Sequence, residues 1–177
     1  MLKPQDCVIL LKLLAHRDQA WSQRQLAEAL SISLAEVNGG IKRLCKANLL
    51  RKGKDHHLKF IPIRSAAEEF LIHGIKYLFP GKLGEFTRGV PTGVAAPLFQ
   101  DKIAQGNDPI PIWPDALGER RGVAVAPIHA SIPKALREHP DPKFYDLLVL
   151  IDAIRLGRAR ERNIAVQLLK EKLKYEK

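Results

Sequence analysis

The chain has 177 residues, a hydrophobic fraction of 46% and a formal net charge of +10, with 29 Lys and Arg residues against 19 Asp and Glu residues. This length suffices for one full-sized domain or two small ones with a real core, and so basic a chain attracts polyanions such as nucleic acid, or an acidic partner. No apolar run is long enough to span a bilayer, and Cys7 and Cys45 lie too far apart to form a paired metal-binding or redox motif.

The basic excess is concentrated at the N-terminus. Residues 1–64 hold 12 Lys or Arg against 5 Asp or Glu, whereas residues 65–140 hold 8 of each and residues 141–177 hold 9 against 6. The first apolar run is short, contains Lys12 and lacks a small-residue cleavage site, which argues against a secretory signal. We therefore expect a cytoplasmic protein without a membrane partner, whose N-terminal third carries the surface that attracts polyanions.

The first sixty or so residues show the order helix, helix, turn, helix and hairpin. Apolar residues recur at helical spacing in three segments, and Ser22 and Ser33 stand at N-cap positions before the second and third. Two short extended runs on either side of Gly53 predict an antiparallel hairpin. The predicted elements are helices over 5–16, 22–30 and 34–47 and strands over 49–52 and 57–61.

The remainder of the chain has a different composition. A helix is predicted over 65–77, and the proline-rich stretch 79–140 is interpreted as a small packed module with short strands near 110–113 and 122–128, with disorder as the alternative. Asp141 and Pro142 predict the start of a helix that runs to Leu156, and further helix follows Gly157. We predict an α+β protein with an N-terminal unit over 1–63 and, over 64–177, a mixed α/β dimerisation or partner-binding module that ends in long helices.

The outer face of the third predicted helix is polar and basic. A helix laid in the major groove reads base edges from its N-terminal part and contacts phosphates along its sides. Side chains at the start of the second helix suit a phosphate, and the basic hairpin suits backbone or minor-groove contact. The predicted DNA-binding residues are Ser22, Gln23, Arg24, Ser33, Ala35, Glu36, Asn38, Gly39, Lys42, Arg43, Lys52, Lys54, His56 and His57.

This arrangement resembles the winged helix-turn-helix domains of prokaryotic transcriptional regulators. Gly39 and Gly40 depart from the usual pattern, because an interior Gly lowers helix stability by about 1 kcal/mol relative to Ala and removes a base-reading side chain. Two consequences are open: weak sequence specificity, or an unusually close approach of the helix backbone at Gly39.

The downstream segments, among them RGVPTGVAAPLF and DPKFYDLLVLIDAIRLGRARER, look like a family of small prokaryotic regulators that are similar in role to the abortive-infection type E antitoxins. The resemblance implies an autoregulating antitoxin of a toxin–antitoxin system that binds double-stranded DNA as a homodimer and meets a nucleotidyltransferase-like toxin with its C-terminal half. The candidate partner-binding residues are Arg88 and Thr92 in a shaped loop and Arg155, Arg158 and Arg162 on a basic helix face, with turn chemistry and a solvated surface as the respective alternatives.

Catalysis is not expected. The six His residues lack the context of a catalytic triad, and Glu68 and Glu69 point about 100° apart on a helix, which suits a metal poorly. The Gly-rich pieces lack the Lys-Ser ending of a phosphate loop. We expect no enzyme, no metal and no cofactor. The alternative functions are a protein-interaction module that neutralises a toxin without touching DNA and, less favoured, a nuclease.

Overall fold

A computed structural model describes residues 1–54 and 59–174 of the chain. Helices account for 54% of the chain and strands for 15%, so the fold is mixed α/β with helices in the majority. The N-terminal elements are α1 (Pro4–Ala15), α2 (Gln23–Leu30), α3 (Leu34–Lys46), β1 (Leu50–Lys52) and β2 (Phe60–Pro62). The two strands pair antiparallel, so the three helices and the hairpin of the sequence prediction are present in the predicted order.

The two predicted serine caps are confirmed. The Ser22 hydroxyl accepts the Gln25 amide at 3.1 Å, and the Gln25 side chain accepts the Ser22 amide at 2.8 Å. Ser33 and Glu36 make the same reciprocal pair at the start of α3, at 3.1 and 2.8 Å. Each box satisfies amides that the first helical turn would leave without a partner, which fixes where α2 and α3 begin.

The helix α1 lies inside the molecule. Every residue from Asp6 to Leu14 is buried, because α3 packs on one side of α1 and the C-terminal helix α7 (Pro142–Leu156) packs on another. One continuous apolar cluster includes Leu10 of α1, Leu44 of α3 and Leu150 of α7. The predicted units 1–63 and 64–177 therefore share one core.

The predicted helix over 65–77 is present as α4 (Arg64–Glu69), a π-helical turn (Phe70–Gly74) and α5 (Ile75–Leu78).

The proline-rich stretch that follows is a packed module. Three strands in it close a small barrel, in which the first is antiparallel to both others. The strands are β3 (Leu83–Pro91), β4 (Pro111–Pro114) and β5 (Arg120–Val125).

Closure of so small a barrel requires glycine where backbones meet. A Cβ on Gly89 would lie 1.7 Å from the Trp113 carbonyl oxygen, and one on Gly122 would lie 2.1 Å from the Ile110 carbonyl oxygen. Neither position tolerates a side chain, because no backbone can move far enough within three paired strands. The prolines stand at strand ends, as the sequence predicts: β3 ends at Pro91 and β4 begins at Pro111.

Three helices complete the chain: α6 (Ile132–Glu138), α7, and α8 (Ala159–Leu173). Asp141 caps α7 as predicted, accepting the Phe144 amide at 3.1 Å, and Gly157 ends that helix. In the part of the chain that the structure describes, no helix has both the length and the apolar character that crossing a membrane requires.

Candidate nucleic-acid interface

The helix α3 has a buried face and an exposed face. Val37, Ile41 and Leu44 point into the core, and the opposite side is open to solvent. The C-terminal half does not cover it: Ser33, Ala35 and Lys42 are exposed, and Asn38 is half-buried. We call this surface the α3 face and define it by Ser33, Ala35, Asn38, Lys42 and Lys46.

The polar groups near the start of α3 differ in how free they are. The Ser33 hydroxyl accepts the Glu36 amide and also donates to the Glu36 carboxylate at 2.9 Å, so it is occupied within the capping box. The backbone and hydroxyl hydrogen bonds from Ser33 lower the pKa of Glu36, which keeps this carboxylate ionised and tied to the cap. Asn38 donates one amide hydrogen to the Gln23 side-chain oxygen at 3.1 Å and retains its own carbonyl oxygen as an acceptor.

Arg43, predicted to neutralise a phosphate, is half-buried, with its side chain 26% exposed, and is paired with a buried carboxylate. Its Nε and Nη2 donate to the two carboxylate oxygens of Asp6, each at 2.8 Å, and Asp6 is completely buried. The hydrogen bond to Asp6 raises the pKa of Arg43 and keeps the guanidinium charged. Because the pair is bidentate, it fixes both the distance and the orientation of α3 against α1.

The two adjacent glycines of α3 have different surroundings. A Cβ on Gly40 would lie 2.5 Å from Ile9 Cδ1 and 2.9 Å from Asp6 Oδ1, so Gly40 is the point where α3 meets α1. A Cβ on Gly39 would lie 3.1 Å from Arg43 Nη1, the end of a long side chain. A close approach is therefore present at Gly40, toward the core, and Gly39 leaves the α3 face without a side chain at its centre.

The hairpin extends the basic surface. Arg51, Lys52 and Lys54 are exposed, and Arg24 is exposed at the start of α2 beside half-buried Ser22 and Gln23. The predicted residues His56 and His57 lie outside the described part of the chain. Within residues 1–54 and 59–174, no ion pair involves the exposed cations of α2, α3 and the hairpin, which are Arg24, Lys42, Lys46, Arg51, Lys52, Lys54 and Lys59.

Three of these exposed cations, Lys46, Arg51 and Lys59, were not predicted from the sequence as DNA-binding residues. Lys46 follows Lys42 by four residues, so the spacing places both on one face of a helix, and this signal was available. Arg51 lies in a strand of only three residues, too short for alternation to show which way its side chain points.

Two predicted partner-binding residues, Thr92 and Arg155, belong to a buried network around Asp152. The Thr92 hydroxyl and the Trp113 indole NH each donate to Asp152 Oδ2 at 2.6 Å, and Arg155 Nη1 donates to Oδ1 at 2.7 Å. Burial raises the pKa of Asp152, and the charge of Arg155 together with the donated hydrogen bonds opposes this. With Thr92 fully buried and the Arg155 side chain 5% exposed, neither can meet a partner at the surface.

The other three predicted partner-binding residues are more accessible but lie on two different elements. Arg88 is exposed on β3. Arg158 is exposed at the N-cap of α8, where its backbone amide donates to the Glu161 carboxylate at 3.1 Å, and Arg162 is half-buried one turn later. A single basic helix face therefore does not extend from Arg155 through Arg162.

Two further features are a polar cluster between α1 and α7 and the two cysteine thiols. Lys12 and His16 both contact Asp141 Oδ2 at 2.6 Å, and the Lys12 side chain is 4% exposed, so this cluster joins α1 to α7 within the core. Burial raises the pKa of Cys7 to about 12 and also raises that of Cys45, which leaves both thiols protonated and unreactive at neutral pH.

The described residues contain no group of three or more His, Cys, Asp or Glu side chains arranged to hold a metal ion. What the geometry does present is a basic, exposed surface supported by packed helices, with its charges facing solvent. No family model, no curated protein and no solved structure matches this chain.

Proposed function

We propose that this protein is a double-stranded DNA-binding transcriptional regulator of the winged helix-turn-helix type. In this assignment α3 is the recognition helix and the β1–β2 hairpin is the wing. The observation that carries the proposal is the exposure of the basic side chains on α3 and the hairpin, on the side of these elements that faces away from the core. Among the described residues none of these cations has an ion-pair partner of its own.

Each part of the α3 face is assigned a contact with either the base edges of the DNA major groove or the phosphates beside it. The major groove, about 12 Å wide, admits an α-helix, and the N-terminal half of α3 would then bring Asn38 to the base edges. An amide side chain forms paired hydrogen bonds with adenine, and Asn38 keeps a free acceptor for this. Lys42 and Lys46, further along the helix, would contact phosphates, as would Arg24 at the start of α2.

The small residues of α3 bear on specificity. Ala35 and Gly39 leave little side-chain bulk between the helix backbone and the bases, so α3 can lie deep in the groove. The number of base-reading groups is correspondingly low, with Asn38 as the principal one. We therefore propose semi-specific binding in which phosphate contacts supply most of the affinity.

The resemblance to the type E antitoxins extends the proposal. It adds an autoregulatory role at the operator of the protein's own gene, bound by a homodimer at a palindromic site, and a toxin partner for the C-terminal half. The observations on α3 and the hairpin support the DNA contact only. The dimer and the toxin rest on the resemblance.

The test compares two double variants of the full-length protein. Lys42→Ala with Lys46→Ala removes two cations of the α3 face, and Lys102→Ala with Lys143→Ala removes two exposed cations elsewhere. Affinity for duplex DNA from upstream of the gene is measured over a salt series. Each lost phosphate contact should lower the slope of log affinity against log salt by about 0.9, so the α3 variant should lose about two units and the control none.

An equal slope for both variants would reject the α3 face as the DNA-binding surface. If the unaltered protein binds no duplex at any salt concentration yet neutralises its toxin, the protein-interaction alternative replaces this proposal.

Arg43→Ala provides an internal comparison one residue from Lys42. It should leave the salt slope unchanged and lower the free energy of unfolding by about 3 kcal/mol, because Asp6 would remain buried without its counter-charge. A urea titration measures the stability, and a fall in the salt slope as large as that of the Lys42 and Lys46 variant would contradict the interior role of Arg43.

A further inference from the structure

The strands β3 and β5 present a second basic surface outside the α3 face. Arg88 pairs directly with Arg121 across the two strands, and Phe86 pairs with Val123. Directly paired residues of an antiparallel ribbon share a face, as do residues two apart on one strand, so Phe86, Arg88 and Arg121 lie together. We call these three side chains the ribbon face. All three are exposed, and the Arg121 guanidinium lies 5.6 Å from the centre of the Phe86 ring, which is 59% exposed as a residue.

The direct pairing of the two arginines does not stabilise the strand pair. Like charges directly opposite each other destabilise an antiparallel pair. Within the described part of the chain neither Arg88 nor Arg121 forms an ion pair, although Glu85 and Glu119 stand close by in the sequence. Unmatched arginines around an exposed aromatic ring are characteristic of a binding surface for a densely charged anion.

The ribbon face is connected to the turn that precedes α3. Adjacent residues of α6 make the two contacts: Arg137 donates to Asp115 Oδ2 at 2.8 Å, and Glu138 accepts from the Ser31 hydroxyl at 3.4 Å. The Asp115 amide in turn donates to the Arg88 carbonyl at 3.1 Å. The ribbon face and the start of α3 are thus linked through two consecutive residues of α6.

We propose that the ribbon face is a second DNA-binding surface, which contacts duplex DNA separately from the α3 face. The inference rests on the proposed function and enlarges its binding site. Two guanidinium groups held side by side suit closely spaced anions, and duplex DNA supplies one phosphate per strand for about every 3.4 Å of helix axis. An exposed Phe ring beside them can contact the sugars or bases of a groove.

The test uses the full-length protein with Arg88→Ala and Arg121→Ala together, and the Lys102→Ala, Lys143→Ala variant as the matched control. Affinity for upstream duplex DNA is again measured over a salt series. The ribbon variant should lower the slope by about two units, and combining it with Lys42→Ala and Lys46→Ala should lower the slope by about four. Its resistance to urea should be equal to or greater than that of the unaltered chain, because a repulsive pair has been removed.

A fluorescent side chain on the ribbon face tests the inference without relying on the salt dependence of affinity. Phe86→Trp places an indole on the ribbon face, while the two native Trp residues, Trp21 and Trp113, are buried. Duplex DNA should quench the emission of this indole, also in the background of the Lys42 and Lys46 variant at low salt. Quenching by single-stranded DNA alone would overturn the assignment to duplex.

The outcomes separate the two proposals. If the ribbon variant has the slope of the control while the Lys42 and Lys46 variant loses slope, the ribbon inference is overturned and the proposed function stands. If the unaltered protein binds no duplex, both are overturned. If the ribbon variant keeps its DNA slope but loses affinity for poly-glutamate, the surface suits an acidic protein and the DNA assignment is overturned.

Discussion

The buried charges of this protein are paired, whereas the described cations of the α3 face and the hairpin are not. In the core, Asp6 meets Arg43, Asp141 meets Lys12 and Asp152 meets Arg155, each across less than 3 Å. On the α3 face and the hairpin, the described Lys and Arg side chains face solvent with no ion-pair partner. A buried charge costs several kcal/mol unless it is matched, whereas an exposed one is free to meet an anion from outside.

The comparison shows that net charge alone does not identify binding residues. Arg43 and Arg155 contribute to the +10 of the chain and stand at positions that the sequence assigns to binding, yet each holds a buried carboxylate. Lys42, adjacent to Arg43, is exposed and forms no ion pair within the described residues. The direction of a side chain relative to the core, and not its type, separates the two sets.

The largest effect is expected at Asp152. Asp152→Ala would leave Arg155, the Thr92 hydroxyl and the Trp113 indole without their acceptor, and should lower the free energy of unfolding by about 3–5 kcal/mol. Asp146→Ala on the same helix is the control, because its pair with Lys172 is partly exposed and should contribute less than about 1 kcal/mol. Urea unfolding measures both. DNA affinity per folded molecule should not change, and equal losses of stability in the two variants would remove the distinction between interior and surface pairs.

A smaller effect is expected from the two glycines of α3. Gly40→Ala should lower the free energy of unfolding by about 1–3 kcal/mol, since its methyl group would overlap Ile9 and the Asp6 carboxylate. Gly39→Ala should lower stability less than Gly40→Ala, because its methyl group would press only on Arg43 Nη1, in the guanidinium that pairs with Asp6, and the gain in helix propensity of up to about 1 kcal/mol offsets this. Thermal unfolding of the pair is the measurement. Similar changes in the free energy of unfolding for the two variants would contradict the difference between the core side of α3 at Gly40 and its outer side at Gly39.

The third effect is a dependence on pH. Burial acts to raise the pKa of Asp141, but hydrogen bonds from Lys12, the Phe144 amide and His16 outweigh it and hold the pKa below the ordinary value of 3.8. A lowered folded-state pKa contributes stability that is present above the ordinary value and is lost as the pH falls through the folded-state value. Asp141→Asn should therefore be less stable than the unaltered chain at pH 7. The difference between their free energies of unfolding in urea should narrow below about pH 4. A difference that stays constant between pH 7 and pH 3 would contradict this.

Local chemistry explains which elements were predictable. Ser22, Ser33 and Asp141 act at the helix starts where their side chains predict them, and Gly53 directly follows β1, with its amide donating to the Lys59 carbonyl at 3.1 Å. These signals lie within a few residues of the structure that they determine. The outer face of α3 follows in the same way from helical spacing, and it is the part of the candidate site that the sequence contained.

What could not be predicted depends on contacts between distant residues. β3 begins with four exposed residues and includes Gly84 and Gly89, so it shows no alternation of apolar and polar side chains. Arg43 looks like an outward-facing cation until Asp6, 37 residues away, is placed beneath it. Thr92 lies beside a barrel whose closure depends on three segments of the chain, and its burial follows only from that closure.

The position of α1 means that the two halves of the molecule are mechanically joined. A fragment ending at residue 63 would uncover the side of α1 that α7 covers and would leave the Lys12 ammonium without Asp141. Both α7 and α3 pack on α1: the pair between Asp141 and Lys12 holds α7, and the close contact at Gly40 and the pair between Arg43 and Asp6 hold α3. The same buried helix therefore supports the α3 face and the C-terminal half.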